Sequence, residues 1–122
     1  MKKPDKVLNI GIMSKEEYRK RTIAIAKGEY TPNADEPKVW FESLQSMAQI
    51  LNSENQKLLK LIIDKQPQSL KELETLSGRT SSNLSRTLKT MERYKIIKLD
   101  KEKRRLIPKV EADSFMIQVG LH

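Results

Sequence analysis

Apolar residues recur every three or four positions through the middle of the chain, which predicts three helices with one buried face each. These helices are predicted over residues 38–51, 54–66 and 70–77. Their apolar positions are Trp40, Phe41, Leu44, Met47, Ala48 and Leu51, then Leu58, Leu59, Ile62 and Ile63, then Leu70, Leu73 and Leu76. Ser53 and Ser69 stand at the expected N-caps of the second and third helices.

A fourth helix is predicted after Gly78, and it is apolar on one side only. At 100° per residue, Leu84, Leu88 and Met91 fall within about 60° of one another and face inward. The opposite arc holds no apolar residue and carries Ser82, Arg86, Lys89 and Arg93, flanked by Asn83 and Thr90. A short helix, a glycine turn and a second helix form the helix-turn-helix pattern, whose second helix can enter the major groove of DNA.

Shorter apolar runs predict strands at residues 6–13, 96–99, 105–110 and 114–120. Ser14 and Glu17 form a capping box that starts a charged helix ending near Gly28, and the two prolines of residues 30–37 mark a linker. The fold class expected from this pattern is mainly α with a small β-hairpin. It is a winged helix-turn-helix with short strand and helix extensions at both ends.

Three segments follow from the same pattern. Residues 1–37 are predicted to form a strand-helix arm and linker, residues 38–110 the winged helix-turn-helix domain, and residues 111–122 a C-terminal strand and tail. The arm over residues 6–28 is expected to be dispensable for folding of the winged core but needed to hold a partner.

The positive charge lies almost entirely in one segment. Residues 79–109 hold eleven basic and three acidic residues, so this segment alone carries the net charge of +8 that the whole chain has. The rest of the chain is electrically balanced. A basic segment on a neutral body is typical of a surface that binds a polyanion.

The residue types in this segment suit DNA recognition. Arginine pairs with guanine through two hydrogen bonds, asparagine pairs with adenine, and serine or threonine contacts bases or phosphates. The turn between the two hairpin strands would be a wing that reaches phosphates or the minor groove. The candidate DNA contacts are Arg79, Ser81, Ser82, Asn83, Arg86, Lys89, Thr90 and Arg93 from the helix and its turn, and Lys101, Lys103, Arg104 and Arg105 from the wing.

The segment from Pro67 to Leu99 resembles the winged-helix core of MarR-like transcriptional regulators. The matching positions are Leu73, Leu76, Gly78, Ser82, Asn83, Leu84, Leu88, Met91, Glu92, Ile96 and Ile97, and the resemblance covers about residues 40–110. It implies a DNA-binding regulator, with repression as the expected role. Lys95 departs from the pattern, because such families usually have glycine before the first wing strand. A left-handed backbone there would cost a side-chain-bearing residue about 1–2 kcal/mol.

A narrower resemblance extends over residues 16–30, 36–51 and 78–94, which are similar to a group of small prokaryotic helix-turn-helix proteins. That resemblance implies an antitoxin and autorepressor paired with a TumE-type toxin, so a small toxin protein is an expected partner alongside duplex DNA. A homodimer is also expected, because two recognition helices then meet successive major grooves. The apolar strands at residues 7–13 and 115–120 could pair with each other, with a second subunit or with a partner's sheet, or they could pack onto the core.

Other function classes find little support in the residues. The chain has no cysteine and only one histidine, His122, and it contains no glycine-rich phosphate loop, so no catalytic residue, metal site or cofactor is predicted. No apolar run reaches the roughly 20 residues of a membrane span, and a cytoplasmic location is expected. The alternative function is an RNA- or protein-binding winged-helix adaptor, because basic charge alone does not separate DNA from RNA.

Overall fold

A computed structural model describes residues 6–102 and 104–121. Within those ranges the chain forms five helices and five strands. In order they are β1 (Val7–Ile12), α1 (Lys15–Ala26), β2 (Val39–Phe41), α2 (Leu44–Ile50), α3 (Ser53–Lys65), α4 (Leu70–Ser77), α5 (Ser81–Arg93), β3 (Ile97–Glu102), β4 (Arg105–Val110) and β5 (Ser114–Val119).

The prediction of a mainly α fold is wrong, because the chain is a mixed α/β structure with two sheets. β1 lies at the centre of a three-stranded sheet, with β2 on one side and β5 on the other, and both pairs are parallel. Ile10 is the register partner of Val39 in β2 and of Ile117 in β5. β3 and β4 form the expected antiparallel hairpin.

The first of the three predicted amphipathic helices is in fact a strand followed by a helix. Trp40 and Phe41 lie on β2, and the hydroxyl of Ser43 accepts a hydrogen bond from the Ser46 N–H at 3.0 Å to start α2. A strand of three residues is too short to show a period of two, so its apolar residues continue the helical spacing that follows them.

Side-chain caps fix where the other helices begin. Ser14 caps α1 and Ser69 caps α4, as the sequence predicts, and their hydroxyls accept from the N–H groups of Glu17 and Glu72. α3 is capped by Asn52 instead of Ser53, with Asn52 Oδ1 accepting from the Asn55 N–H at 2.8 Å. The helix therefore starts one residue earlier than expected.

One apolar core joins the parallel sheet to the helix-turn-helix. Leu8, Ile10, Val39 and Phe41 from the sheet are buried in the same cluster as the inward side chains of α3, α4 and α5. Those helical side chains are Leu58, Leu59, Ile62, Leu73, Leu84, Leu88 and Met91, and Ile96, Ile97 and Ala112 complete the cluster. The sheet thus supports the surface on which α5 lies.

α1 is held differently, because none of its residues is buried. Arg21 donates from Nη2 to Glu36 Oε2 at 2.9 Å, and its guanidinium lies 5.0 Å from the centre of the Trp40 ring. That ring covers Gly11 on the outer face of the sheet, so closely that a Cβ at Gly11 would overlap it. The contacts of Arg21 with Glu36 and with the Trp40 ring therefore hold the charged helix α1 against the sheet.

Lys95 forms the turn that connects α5 to the hairpin, and its φ of +63° is left-handed. The Lys95 N–H bonds the Glu92 carbonyl at 3.0 Å and the Ile96 N–H bonds the Met91 carbonyl at 2.9 Å. These two bonds define a Schellman motif with lysine where glycine is usual. The left-handed lysine expected from the sequence is confirmed.

Lys95→Gly is expected to stabilise the protein by about 0.5–1 kcal/mol, because relief of the left-handed strain exceeds the entropy that glycine adds to the unfolded chain. Urea unfolding monitored by circular dichroism measures the change. Lys89→Gly is the control: it removes the same exposed side chain from the interior of α5 and should destabilise by about 1 kcal/mol. A loss of stability in Lys95→Gly comparable to that control would contradict the strain assignment.

Candidate nucleic-acid interface

α4, a three-residue turn and α5 build the helix-turn-helix. Gly78 ends α4 in a left-handed conformation, with φ of +74°, and its N–H bonds the Glu74 carbonyl at 2.8 Å. Thr80 then caps α5 by accepting from the Asn83 N–H at 3.2 Å. Glycine adopts the left-handed backbone conformation more easily than other residues, so Gly78 allows the chain to turn directly from α4 into α5.

The buried face of α5 fixes what its other face presents. Leu84, Leu88 and Met91 have no exposed surface, as the spacing predicts. The opposite side of the helix is exposed along its whole length, and it carries Ser81, Ser82, Asn83, Arg86, Lys89 and Arg93. Thr90 is half-buried and donates its hydroxyl to the Arg86 carbonyl at 3.0 Å. Its side chain is therefore the least available of the predicted contacts on this helix.

Arg79 is held by the neighbouring helix. Its guanidinium donates to Asn55 Oδ1 at 3.0 Å and to the Glu54 carbonyl at 2.9 Å, both at the start of α3, and reaches Asn83 Oδ1 at 3.4 Å. These bonds tie the turn before α5 to α3. Arg79 thus orients α5 within the fold.

β3 and β4 form the wing, with Glu102 opposite Arg105 at its end. Arg104 occupies the tight turn with φ of +67°. Lys101, Arg104 and Arg105 are exposed, and Lys103, the fourth predicted contact of the wing, lies outside the described residues. Residues 101–105, at the end of the wing, are basic except for Glu102.

Two of the three acidic residues in the basic segment are used inside it. Glu92 Oε2 accepts from the Leu99 N–H at 3.1 Å, which fastens β3 to α5. Asp100 pairs with Lys109 at 3.2 Å and with Lys98 at 3.4 Å, and the hydrogen bond from Lys109 is the main cause that lowers the pKa of this carboxyl. Lys98 and Lys109 are directly opposite in the hairpin register, so one carboxylate serves both.

Five other cations of the segment are exposed and fall into two groups. Within the described residues, the side chains of Arg86 and Lys89 on α5, and of Lys101, Arg104 and Arg105 on the wing, have no hydrogen-bond or ion-pair partner.

A family model named HVO_A0114 matches residues 50–117, more than half of the chain and a range that spans α3 to β5. The chain belongs to the HVO_A0114 family. No curated protein and no solved structure matches it.

In this member of the HVO_A0114 family, an aromatic stack fixes the end of α5 against the parallel sheet. The Tyr94 ring lies 4.0 Å from the Phe41 ring, centre to centre, with 12° between their planes. The Arg93 guanidinium lies 5.4 Å from the centre of the Tyr94 ring. The sequence did not predict this stack, because Phe41 and Tyr94 belong to distant elements and only the position of β2 brings them together.

The lysine pair on Asp100 was also missed, although the sequence held a signal for it. Alternation along a strand places residues 98 and 100 on one face, and a hairpin closed near residue 103 brings residue 109 opposite residue 98. Counting charges without this pairing overstates the free charge of the wing.

No helix within the described residues is long and apolar enough to cross a membrane.

Proposed function

We propose that this protein is a sequence-specific duplex-DNA-binding regulator, acting as a repressor, in which α5 enters the major groove and the wing contacts phosphates or the minor groove. The observation that carries the proposal is the outer face of α5. Arg86 and Lys89 stand there exposed and without an intramolecular partner, on a helix whose other face is fully buried. A helix held in this way can present base-reading side chains without losing packing.

The distribution of charge supports the same proposal. The exposed cations of the wing tip lie at the end of the strand that follows α5, while Glu92 and Asp100 are bonded to partners within the same segment. Glu92 also accepts the hydrogen bond from the Leu99 N–H, which links the start of the wing to α5. Phosphate contacts from the wing would then set the position of α5 on the duplex.

Tyr94 favours duplex DNA over single-stranded RNA. It is the only aromatic residue in the basic segment, and a single-strand platform needs exposed rings on which bases stack. The Tyr94 ring is instead stacked on Phe41, with Arg93 close by. The RNA-binding alternative therefore lacks its usual stacking surface in this segment.

The experiment that tests the proposal selects binding sites from random duplexes with the full chain. Binding to the selected duplex, an unrelated duplex, single-stranded RNA and duplex RNA is then measured over a range of salt concentrations. A selected duplex bound at least about 10³-fold more tightly than the unrelated one supports a regulator. Equal binding to all four nucleic acids, or a preference for RNA, contradicts it.

The antitoxin role is a separate hypothesis that rests on the resemblance, and rescue from a co-expressed toxin would test it.

The double variant Arg104→Ala/Arg105→Ala is expected to weaken binding to every duplex alike, because wing cations meet phosphates and carry no base information. The slope of log K against log salt should fall by about one unit per lost phosphate contact. Lys98→Ala/Lys109→Ala is the matched control, since it removes the same charge from side chains already paired with Asp100. If the two double variants lower the slope equally, Arg104 and Arg105 make no contact with DNA phosphates beyond their general charge.

A further inference from the structure

We propose that β5 is the dimerisation surface of this chain, and that its occupant is β5 of a second copy, paired antiparallel about a two-fold axis at Ile117. This inference goes beyond the proposed function and does not depend on it, because the interface is tested without DNA. It rests on the free edge of the sheet, on the composition of β5 and on an apolar groove beside it.

β5 is the longer of the two open edges of the parallel sheet. It has six residues, whereas the opposite edge strand, β2, has three. β5 pairs only with β1 among the described residues, so one row of its backbone N–H and carbonyl groups has no strand partner there. Proteins usually protect such an edge with charge, proline or a bulge.

This edge has none of the usual charged protection. Residues 114–121 are Ser, Phe, Met, Ile, Gln, Val, Gly and Leu, a run without charge or proline in a chain in which 33 % of the residues are charged. A second copy carries the same net charge of +8, so two copies can approach closely only through a neutral surface. An uncharged strand meets that requirement and offers nothing that would select a charged partner.

The alternation of β5 makes it complementary to itself. Phe115, Ile117 and Val119 are register partners of Leu8, Ile10 and Ile12, so they share the core side of the sheet. An antiparallel pairing centred on Ile117 sets Phe115 against Val119 of the second copy and Ile117 against its counterpart, all on that side. It sets Met116 against Gln118 on the outer side. A shift by one residue would set Ile117 against Gln118 and bring the core side of one copy to the outer side of the other.

Among the registers that keep the two faces, the one centred on Ile117 pairs residues 114–120 of both copies and leaves Asp113 just beyond them, next to Leu121 of the second copy. Centring one residue earlier would place Asp113 opposite Val119. That aspartate already accepts a hydrogen bond from the Lys6 N–H at the start of the sheet. The register at Ile117 therefore pairs the whole of β5 and still keeps Asp113 out of the paired residues.

A groove beside β5 gives the second copy more than a row of hydrogen bonds. It measures about 610 Å³, and its apolar lining includes Met47, Leu51, Leu59, Ile63, Phe115 and Ile117. The proposed register brings Leu121 of the second copy opposite Asp113, at the end of this groove where Ala112 and Phe115 lie. Leu121 is 99 % exposed in one copy, and the pairing would cover it.

The area available is of the size that a dimer needs. A specific interface buries roughly 1,000 Å² or more in total. Met116, Ile117 and Val119 are 63 %, 41 % and 48 % exposed, and with Leu121 they give four large side chains per copy. Eight such side chains, the backbones of two paired strands and the two grooves supply an area of that order. The product is one six-stranded sheet with closed two-fold symmetry.

Single cysteines test the register directly, because the full chain has none of its own. Ile117→Cys should form an intermolecular disulfide fastest, since directly opposed residues of an antiparallel pair lie within disulfide reach. Met116→Cys should react more slowly, because its counterpart lies diagonally at about 7–8 Å. Ile23→Cys, on the exposed face of α1, is the control and should react slowest. Fastest cross-linking at Met116→Cys, or equal rates at all three positions, would overturn the proposed interface.

Sedimentation velocity gives the second readout. The unmodified chain should be a dimer at micromolar concentration, and Ile117→Lys should raise the dissociation constant by on the order of 100-fold or more, because two ammonium groups would meet at the axis. Val119→Lys should act in the same direction, and Leu44→Lys, at an equally exposed aliphatic position on α2, should leave the dimer intact. A monomeric unmodified chain, or a dimer unaffected by both β5 lysines, would refute the assignment.

Discussion

Ile10→Ala is expected to destabilise the protein by about 2–5 kcal/mol, which is a large share of the roughly 5–15 kcal/mol that holds a domain folded. Ile10 is 0 % exposed at the centre of β1, where it is flanked by Val39 and Ile117 on the neighbouring strands. Truncation removes its transfer energy and leaves a cavity in the core that the sheet shares with α3, α4 and α5. Urea unfolding measures the loss.

Val7→Ala is the matched control, because Val7 lies on the same strand but is 52 % exposed. It should change the free energy of unfolding by less than about 0.5 kcal/mol. A comparable loss in both variants would mean that β1 contributes through its backbone pairing and that burial of Ile10 adds little.

The same unfolding experiment tests the predicted boundary near residue 37. Trp40 is the only tryptophan and reports on the parallel sheet, while circular dichroism reports mainly on the helices. With one shared core, the two signals should change together and Ile10→Ala should shift both. A chain beginning near Glu36 is then expected to unfold, in contrast to the dispensable arm that the sequence predicts. If fluorescence changes first and the helices persist, the arm and the winged core are separate units.

Local signals were sufficient for α1, α4, α5 and the wing. Side-chain caps such as Ser14 and Ser69, and the periodic burial of Leu84, Leu88 and Met91, depend on residues three or four positions apart, so the sequence displays them directly. The left-handed Lys95 could be predicted for a related reason. The chain must turn sharply between α5 and β3 whatever the rest of the molecule does.

The parallel sheet could not be predicted in the same way, because its strands meet only through long-range contacts. The Lys6 N–H bonds Asp113 across a separation of 107 residues. The apolar segments near the two ends of the chain, which form β1 and β5, were predicted as strands, but their pairing partners were not predicted. The residues of β2 were assigned to a helix because their apolar spacing continues that of α2. Parallel strands also need a crossover, which here contains a helix without buried residues and therefore shows no amphipathic pattern.

The candidate site shows a similar division. The outward face of α5 follows from its buried face, so the positions of Arg86 and Lys89 could be predicted from periodicity. The pairing of Arg79 with the start of α3, and of Asp100 with two lysines, depends on tertiary contacts. Composition therefore predicted a basic surface, while the fold decides which of its cations remain unpaired.

Arg86→Ala is expected to weaken binding to the selected duplex by about 1–3 kcal/mol and to relax the preference for one base pair, because a guanidinium that pairs with guanine through two hydrogen bonds carries both effects. Arg86 is exposed near the middle of α5 and has no side-chain partner within the described residues, so its removal should leave the folded chain intact. Arg86→Lys separates reading from charge: the ammonium keeps affinity for unrelated duplexes but cannot reproduce the planar fork, so discrimination should fall while the salt slope stays. Arg19→Ala on α1 is the control for charge alone, since Arg19 is also exposed but lies outside the basic segment. Site selection with each variant measures the preference. If Arg86→Ala lowers affinity no more than Arg19→Ala and selects the same sequence, α5 does not read bases through Arg86.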